Sequence, residues 1–114
     1  MIFKSFYDLI AFFFGLRKIA TVKGQSMLPT LKEGDMVFFK KYIKKKSLLK
    51  AGQIVIIYHP LKNIRLIKRV KIVGKNSIEV LGDNIEYSND SNKFGLINNE
   101  KVIGIVTSKI KKIF

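Results

Sequence analysis

Lys68 is the residue whose type and position first suggest chemistry. Residues 64–73 predict a β-strand, in which side chains alternate between two faces. On its own predicted face, Lys68 is accompanied by apolar residues, namely Ile64, Leu66, Val70 and Ile72. Desolvation lowers the pKa of a lysine, and a neutral amine can act as a general base. Since a lysine in such a position more often extends to solvent, a catalytic assignment needs a second signal.

Other candidates for a nucleophile, a base or a metal ligand are few. The sequence has no cysteine, which excludes cysteine nucleophiles, thiolate zinc sites and disulfides. Its single histidine, His59, precedes Pro60 at a predicted turn, so we interpret it as a turn residue rather than as the base of a serine–histidine pair. One histidine without cysteine is a poor ligand set, and we expect neither a metal nor another cofactor.

The second signal comes from motifs that occur in order along the chain. They are VKGQSMLPTLKEGDMVFF over residues 22–39, LIKRV over residues 66–70 and GDNIEYSNDSNKFG over residues 82–95. Together they resemble the sequence boxes of the signal-peptidase family of serine proteases. The similarity extends over residues 22–106, most of the chain.

The resemblance implies a catalytic serine and a catalytic lysine. The family's nucleophile box, with Ser-Met-x-Pro-Thr-Leu at its centre, places the nucleophile at Ser26, and the Lys-Arg-Val box places the general base at Lys68. The last box implies that Ser88 hydrogen-bonds and orients this lysine, with Asp90 and Ser91 supporting the same loop. Because a positioned neutral amine can take the serine proton, such a dyad requires no histidine.

Residues around Ser26 are expected to bind the oxyanion and the substrate. The backbone N–H of Ser26 is the expected oxyanion donor. Gly24 stands where some family members have a serine, and we expect it to permit an unusual backbone angle. The flanking apolar residues either form a wall for an extended substrate or belong to the core. The flanking positions are Gln25, Met27, Leu28 and Pro29.

Two aspartates that follow a glycine, Asp35 and Asp83, could be taken for paired catalytic carboxylates. Their place in predicted turns favours a structural role for both, because aspartate commonly caps turns. Asp83 also belongs to the last motif. We therefore expect it to support the site without acting as an acid or a base.

The predicted fold is mainly β: a signal-peptidase-like (LexA-like) compact β-barrel or β-ribbon core with a short N-terminal amphipathic helix. A chain of 114 residues accommodates one compact core. Runs of β-branched and aromatic residues between turn signals predict strands over residues 36–42, 53–58, 64–73, 77–81 and 101–107. We divide the chain into a helical segment, residues 1–20, and a protease domain, residues 21–114.

The apolar run of the N-terminal segment, residues 9–16, is shorter than the roughly 20 residues that a spanning helix needs. We expect this segment to pack against the domain or a partner, with peripheral membrane contact through residues 2–19 as the alternative. The expected location is the cytoplasm, with a peripheral position at the membrane as the alternative.

Three functions remain open. Residues 69–81 leave no room for a large insertion between Lys68 and Gly82. In this respect the chain is similar to the nickel-type superoxide dismutase maturation proteases. That likeness implies removal of an N-terminal prosequence from a precursor protein. Cleavage of secretory signal peptides at the membrane is the alternative. The net charge of +14 would also suit a non-catalytic nucleic-acid-binding β-domain, but no RNA-binding box or recognition helix accompanies it, so nucleic acid is the least favoured partner.

Overall fold

The structure is a computed structural model that describes residues 2–84 and 96–110, with side chains described from residue 6 onward. Within these residues one α-helix precedes seven strands, and a short 3-10 helix, η1, lies before the last strand. In chain order the elements are α1 (Ile2–Phe13), β1 (Lys18–Thr21), β2 (Met36–Lys41), β3 (Ile54–Tyr58), β4 (Arg65–Val73), β5 (Ser77–Leu81), β6 (Ile97–Asn98), η1 (Asn99–Lys101) and β7 (Val102–Ile110). The prediction of a mainly β fold is confirmed.

The strands form one antiparallel sheet in the order β1-β2-β7-β3-β4-β5-β6. Five strands coincide closely with the predicted ones, because apolar β-branched runs bounded by turn residues favour strands. In the β3–β4 hairpin Lys68 pairs with Val55, and in the β4–β5 hairpin Arg69 pairs with Leu81. The sheet therefore places Lys68 on an inner strand, with β3 on one side and β5 on the other.

The N-terminal segment contains a strand that the sequence analysis missed. Helix α1 ends at Phe13, and Gly15 follows in the left-handed region with a φ of 77°, a conformation that commonly ends helices. Strand β1 then pairs with β2. The helix is therefore shorter than the predicted helical segment of residues 1–20, and residues 18–20 belong to the sheet.

Two clusters of buried apolar residues lie on opposite faces of the sheet. Neighbouring residues of one strand, such as Ile54 and Val55, belong to different clusters, as the alternation of side chains requires. The larger core cluster contains Leu49, Val55, Ile57, Val70, Ile78, Val80, Ile97, Val102 and Ile105, with Tyr42 and Leu66 packed against it. The smaller core cluster contains Val22, Met27, Leu31 and Val37, with Ala20, Ile54, Ile67 and Val106 packed against it.

The apolar face of β4 is shorter than predicted. Lys68 shares its face with Leu66 and Val70 of the larger core cluster, but Ile64 and Ile72 are exposed. The prediction for these last two residues is wrong, since Ile64 precedes the strand and a shift of register after Val70 changes the pairing of Ile72. The apolar surroundings of Lys68 are thus limited to the middle of β4.

A buried carboxylate attaches α1 to the sheet. Asp8 is 1% exposed and accepts hydrogen bonds from Ser108 Oγ, from Thr107 Oγ1 at 2.7 Å and from Arg17 Nε at 3.0 Å. Burial alone would raise the pKa of Asp8, but the hydrogen bonds from Ser108, Thr107 and Arg17 outweigh it, so the pKa is lowered. The carboxylate remains ionised and joins the helix to β7.

Replacing Asp8 with alanine is expected to lower the free energy of unfolding by about 3 kcal/mol, because Ser108 Oγ and Arg17 Nε lose their carboxylate acceptor. Since folding lowers the pKa of Asp8, its contribution is complete above the unfolded value near 3.9 and disappears as the pH falls through the lowered value. Denaturant unfolding at pH 7 and at acidic pH measures both effects. The control is Glu100→Ala, which removes an exposed ion pair and should change stability by less than about 1 kcal/mol. An Asp8→Ala variant as stable as this control would contradict the prediction.

Most of the apolar side chains described for α1 are exposed. Phe13 is 78% exposed, whereas Ala11 is buried. Within the described part of the chain, no helix is long and apolar enough to cross a membrane. The exposed apolar residues in and just after the helix, called here the apolar surface of α1, are Phe6, Tyr7, Leu9, Ile10, Phe12, Phe13, Phe14 and Leu16.

Candidate active site

Ser26 lies in the connection between β1 and β2, residues 22–35, which we call the nucleophile loop. The loop bends at Gly24, whose φ of 79° lies in the left-handed region and confirms the expected unusual backbone angle. The N–H of Gly24 donates to Glu33 Oε1 at 3.2 Å. Met27 is 1% exposed in the smaller core cluster, while Ser26 is half-buried. The loop is therefore anchored in the core directly beside the serine.

The residues that flank Ser26, for which either substrate contact or core packing was expected, differ in their burial. Met27 belongs to the core and has almost no surface to offer a substrate. Leu28 is half-buried, and Gln25 and Pro29 are exposed. Core packing, one of the two expected roles, therefore describes Met27, and substrate contact stays a prediction for the other three residues.

Lys68 occupies the middle of β4 and is 2% exposed. It lies across from Val55 and between Leu66 and Val70 on one face of the strand. Its side chain is thus almost completely removed from solvent, which is the condition that a lysine must meet to act as a base. The arrangement suits a lysine that accepts a proton.

Asp83 joins the nucleophile loop to β4. Its two carboxylate oxygens accept hydrogen bonds from Nε and Nη2 of Arg69, both at 2.8 Å, and one of them also accepts from Thr30 Oγ1. The hydrogen bonds from Arg69 outweigh burial and lower the pKa of Asp83. Because Arg69 follows Lys68 directly and Thr30 belongs to the nucleophile loop, one carboxylate connects the segments that carry the two proposed catalytic residues.

Asn84 adds two hydrogen bonds to the same loop. Its backbone N–H donates to the carbonyl oxygen of Ser26 at 2.8 Å, and its side-chain Nδ2 donates to the carbonyl oxygen of Gln25 at 3.0 Å. Two successive residues after β5 thus hold the loop, Asp83 through the Thr30 side chain and Asn84 through the backbone beside Ser26.

No role was expected for Arg69, Thr30 or Asn84 from the sequence, although each lies in one of the motifs. The signal that could have found them is an arginine beside the presumed base together with an aspartate in a later motif, since such residues commonly form bidentate ion pairs. Asp83 was expected to cap a turn and instead forms this ion pair with Arg69. Its expected role as a support of the active site stays a prediction.

The remaining candidates have structural places or lie outside the described residues. Asp35 accepts a hydrogen bond from the Lys32 N–H at 2.9 Å within its turn, as predicted, and also pairs with Lys109. His59 accepts hydrogen bonds at Nδ1 from the backbone N–H groups of the second and third residues after it, which confirms its role in a turn. Ser88, Asp90 and Ser91 lie outside the described residues, and their roles stay predictions.

Replacing Asp83 with alanine is expected to lower the melting temperature, because Arg69 and Thr30 lose their shared acceptor, and to lower kcat about tenfold for the peptide cleavage that the motifs predict. Since the pKa of Asp83 is lowered in the fold, its stabilising effect is complete above about pH 4 and disappears at lower pH. Cleavage rates and thermal unfolding measure these effects. Glu79→Ala, which removes a carboxylate from β5, is the control. Equal behaviour of the two variants would contradict the assigned connection.

Comparison with known proteins identifies the family to which this arrangement belongs. The family described as "Signal peptidase, peptidase S26" matches residues 2–74, more than half of the chain. Signal peptidase IB of Staphylococcus aureus strain N315 is 41% identical over 71 residues, which cover 62% of this chain and 33% of the relative. Signal peptidase I T of Bacillus subtilis strain 168 is 35% identical over 91 residues, which cover 80% of this chain and 42% of the relative.

The chain therefore spans less than half the length of these curated relatives. Both the family match and the two relatives agree with the resemblance found in the motifs, and the mainly β fold agrees with it as well. The chain belongs to the signal peptidase family, peptidase S26.

Proposed function

We propose that this protein is a serine endopeptidase in which Ser26 is the nucleophile and Lys68 the general base. The observation that carries the proposal is the connection from a buried lysine to the serine: Lys68 is 2% exposed, and the next residue on its strand is bonded to Asp83, which holds the nucleophile loop. A serine hydroxyl needs a base, and a lysine needs desolvation to act as one.

The reaction proceeds in two proton-coupled steps. The neutral Lys68 amine takes the Ser26 hydroxyl proton as Oγ bonds to the scissile carbonyl carbon, and the carbonyl electron pair moves onto oxygen. The Ser26 N–H donates a hydrogen bond to this oxyanion. Collapse of the intermediate breaks the C–N bond, Lys68 returns the proton to the leaving amine, and an ester remains on Ser26. A water molecule deprotonated by Lys68 then hydrolyses the ester and restores the hydroxyl.

Ser88 has a positioning role in this proposal, because the family's last box places a serine there that hydrogen-bonds the lysine. Asp90 and Ser91 would support its segment. These assignments rest on the motif alone, since the segment lies outside the described residues.

The proposed substrate is a precursor protein whose N-terminal signal peptide is removed at a membrane surface. The names of the relatives support this choice, and so does the placement of α1. The nucleophile loop leads into β2, whose first residue, Met36, pairs with Ile110 at the end of β7, and Asp8 of α1 is bonded near the same end of β7. The loop that carries the proposed catalytic serine therefore leads into the end of the sheet to which α1 is attached, and apolar contact of α1 with lipid would bring this end of the molecule to a membrane-bound substrate.

Removal of a prosequence from nickel superoxide dismutase is the second proposed activity. It is favoured by the direct β4–β5 hairpin, in which Val73 and Ser77 are joined by residues 74–76 without the insertion carried by many bacterial signal peptidases. This substrate would need no membrane. The two activities share the catalytic residues and differ in whether the apolar surface of α1 contributes to cleavage.

The deciding experiment offers the full chain two precursors, one bearing a secretory signal peptide and one being a nickel superoxide dismutase precursor. Each is tested with and without vesicles containing anionic lipid, and new N-termini are identified by mass spectrometry. We expect cleavage of the signal-peptide precursor, increased by vesicles, and no cleavage by Ser26→Ala. Vesicle-independent cleavage of the dismutase precursor alone would support the second activity. Cleavage of neither precursor would overturn the proposal.

A further inference from the structure

Asn84 contacts the peptide group that contains the proposed oxyanion donor. The peptide bond between Gln25 and Ser26 includes the carbonyl of Gln25 and the N–H of Ser26. Asn84 Nδ2 donates to that carbonyl oxygen at 3.0 Å, and the Asn84 backbone N–H donates to the next carbonyl, that of Ser26, at 2.8 Å. One residue therefore binds the two carbonyl groups on either side of the Ser26 α-carbon.

The planarity of the peptide bond gives this contact a consequence for the N–H. In a trans peptide the C=O and N–H point in opposite directions, and rotation about the C–N bond is strongly restricted. The Gln25–Ser26 peptide bond is trans, since Leu28–Pro29 is the one cis peptide bond among the described residues. When Asn84 fixes the direction of the Gln25 carbonyl, it also fixes the direction of the Ser26 N–H, which must point away from Asn84.

We propose that Asn84 is a positioning residue that orients the Ser26 N–H toward the oxyanion of the transition state. The inference rests on the proposed function, because it takes Ser26 as the nucleophile. A hydrogen bond accepted by the carbonyl of a peptide group also polarises the group and makes its N–H a better donor. Asn84 thus acts through the peptide, without touching the substrate.

Asn84 is itself held in place by its neighbour. Asp83 is bonded to Arg69 of β4 and to Thr30 of the nucleophile loop, which leaves the following residue little freedom to move relative to Ser26. At the other side of the serine, Gly24 is bonded to Glu33. The Gln25–Ser26 peptide is therefore restrained on both sides before substrate arrives, as an oxyanion donor requires.

The test compares Asn84→Ala and Asn84→Asp with wild type in the full chain, using a fluorogenic peptide with small residues before the scissile bond, as found at signal-peptide cleavage sites. Both variants lose the Nδ2 donor, and the aspartate nearly preserves the side-chain shape. We expect kcat to fall about ten- to a hundredfold in both with KM nearly unchanged, a part of the loss that removal of an entire oxyanion donor causes. In Asn84→Ala the pH at which the rate is half-maximal should not move, because this variant adds no charge to the site and leaves Lys68 in place.

A transition-state analogue separates positioning from a purely structural role. A peptide aldehyde of the same sequence, whose adduct with Ser26 places an oxygen at the oxyanion position, should bind both variants more weakly by the same factor as kcat/KM falls. The non-reactive product peptide should bind all forms equally. Asn63→Ala, which changes an exposed asparagine between β3 and β4, is the control and should retain wild-type kcat.

The outcomes distinguish this inference from the proposed function. A wild-type chain that cleaves the peptide, together with Asn84 variants that keep its kcat and its affinity for the aldehyde, would overturn the positioning role alone. A shift of the pH–rate profile with unchanged affinity for the aldehyde would also overturn the positioning role, since that pattern indicates an effect on the general base and not on the oxyanion donor. A wild-type chain without any cleavage activity would overturn both.

Discussion

Replacement of Lys68 with alanine is expected to reduce kcat by on the order of 10⁴-fold or more, the scale of loss when the base of a serine protease is removed. The physical reason is that an uncharged serine hydroxyl remains, with no neighbouring amine to take its proton. The measurement is the cleavage rate of a signal-peptide substrate under single-turnover conditions. Since Lys68 is almost completely buried, thermal unfolding should be recorded with it to separate loss of chemistry from loss of fold.

The matched control for this variant is Lys71→Ala, because Lys71 lies on the same strand but is exposed. It should retain the wild-type rate. The wild-type rate should also rise with pH as Lys68 loses its proton, and a rate that is constant from about pH 5 to about pH 9 would contradict a lysine base. A folded Lys68→Ala protein with substantial activity would contradict the assignment directly.

Replacement of Ser26 with alanine is expected to abolish cleavage, with a loss on the order of 10⁴-fold or more, because no acyl ester can form without the hydroxyl. The backbone N–H is still present, so binding of an uncleaved peptide should change little. Mass spectrometry of the enzyme with substrate tests the chemistry further. An acyl adduct on Ser26 should accumulate in wild type if hydrolysis of the ester is slow, and it should be absent from the variant.

Ser47→Ala provides the comparison for the nucleophile. Ser47 lies in the connection between β2 and β3, where its Oγ accepts a hydrogen bond from the Ile43 N–H, remote in sequence from every motif residue of the site. Its replacement should leave the rate unchanged. If Ser26→Ala cleaved at a rate close to that of Ser47→Ala, Ser26 would not be the nucleophile.

The strands were predictable because their determinants are local. Runs such as Ile54–Tyr58 consist of β-branched or aromatic residues and end at turn residues, so residue type and the flanking turns suffice to locate the strands. Strand β1 was missed because its four residues come after an apolar helical run without a strong break. The left-handed Gly15 that ends the helix could have been taken as the boundary, but a single glycine does not determine whether a strand or a loop comes next.

The contacts that assemble the molecule could not be predicted in this way, because they join residues distant in sequence. Nothing local in Asp8 indicates that it will meet Thr107 and Ser108, although a lone acid in an apolar helix is a sign that some partner exists. The same holds for Asp83 and Arg69, whose ion pair depends on the register of β4 against β5.

Ser26 and Lys68 were accessible to sequence analysis for different reasons. The motif predicted Ser26 as the nucleophile. The alternation of side chains along β4 independently predicted an apolar environment for Lys68, and the burial of Lys68 agrees with that prediction. The restraint of the Gln25–Ser26 peptide could not be predicted from the sequence, since it depends on how the backbone groups of two loops are oriented toward each other. A sequence motif specifies residue types, whereas the directions of the backbone carbonyl groups are determined by the tertiary structure.

The division of the interior into two clusters has a consequence for how the protein responds to heat. Met27, beside Ser26, belongs to the smaller core cluster, whereas Leu66 and Val70, the neighbours of Lys68 on its face of β4, belong to or pack against the larger one. Small packing units open locally at a lower free-energy cost than the whole fold. We therefore expect the nucleophile loop to open at a lower temperature than the sheet unfolds, so that the proposed activity is lost before the melting temperature is reached.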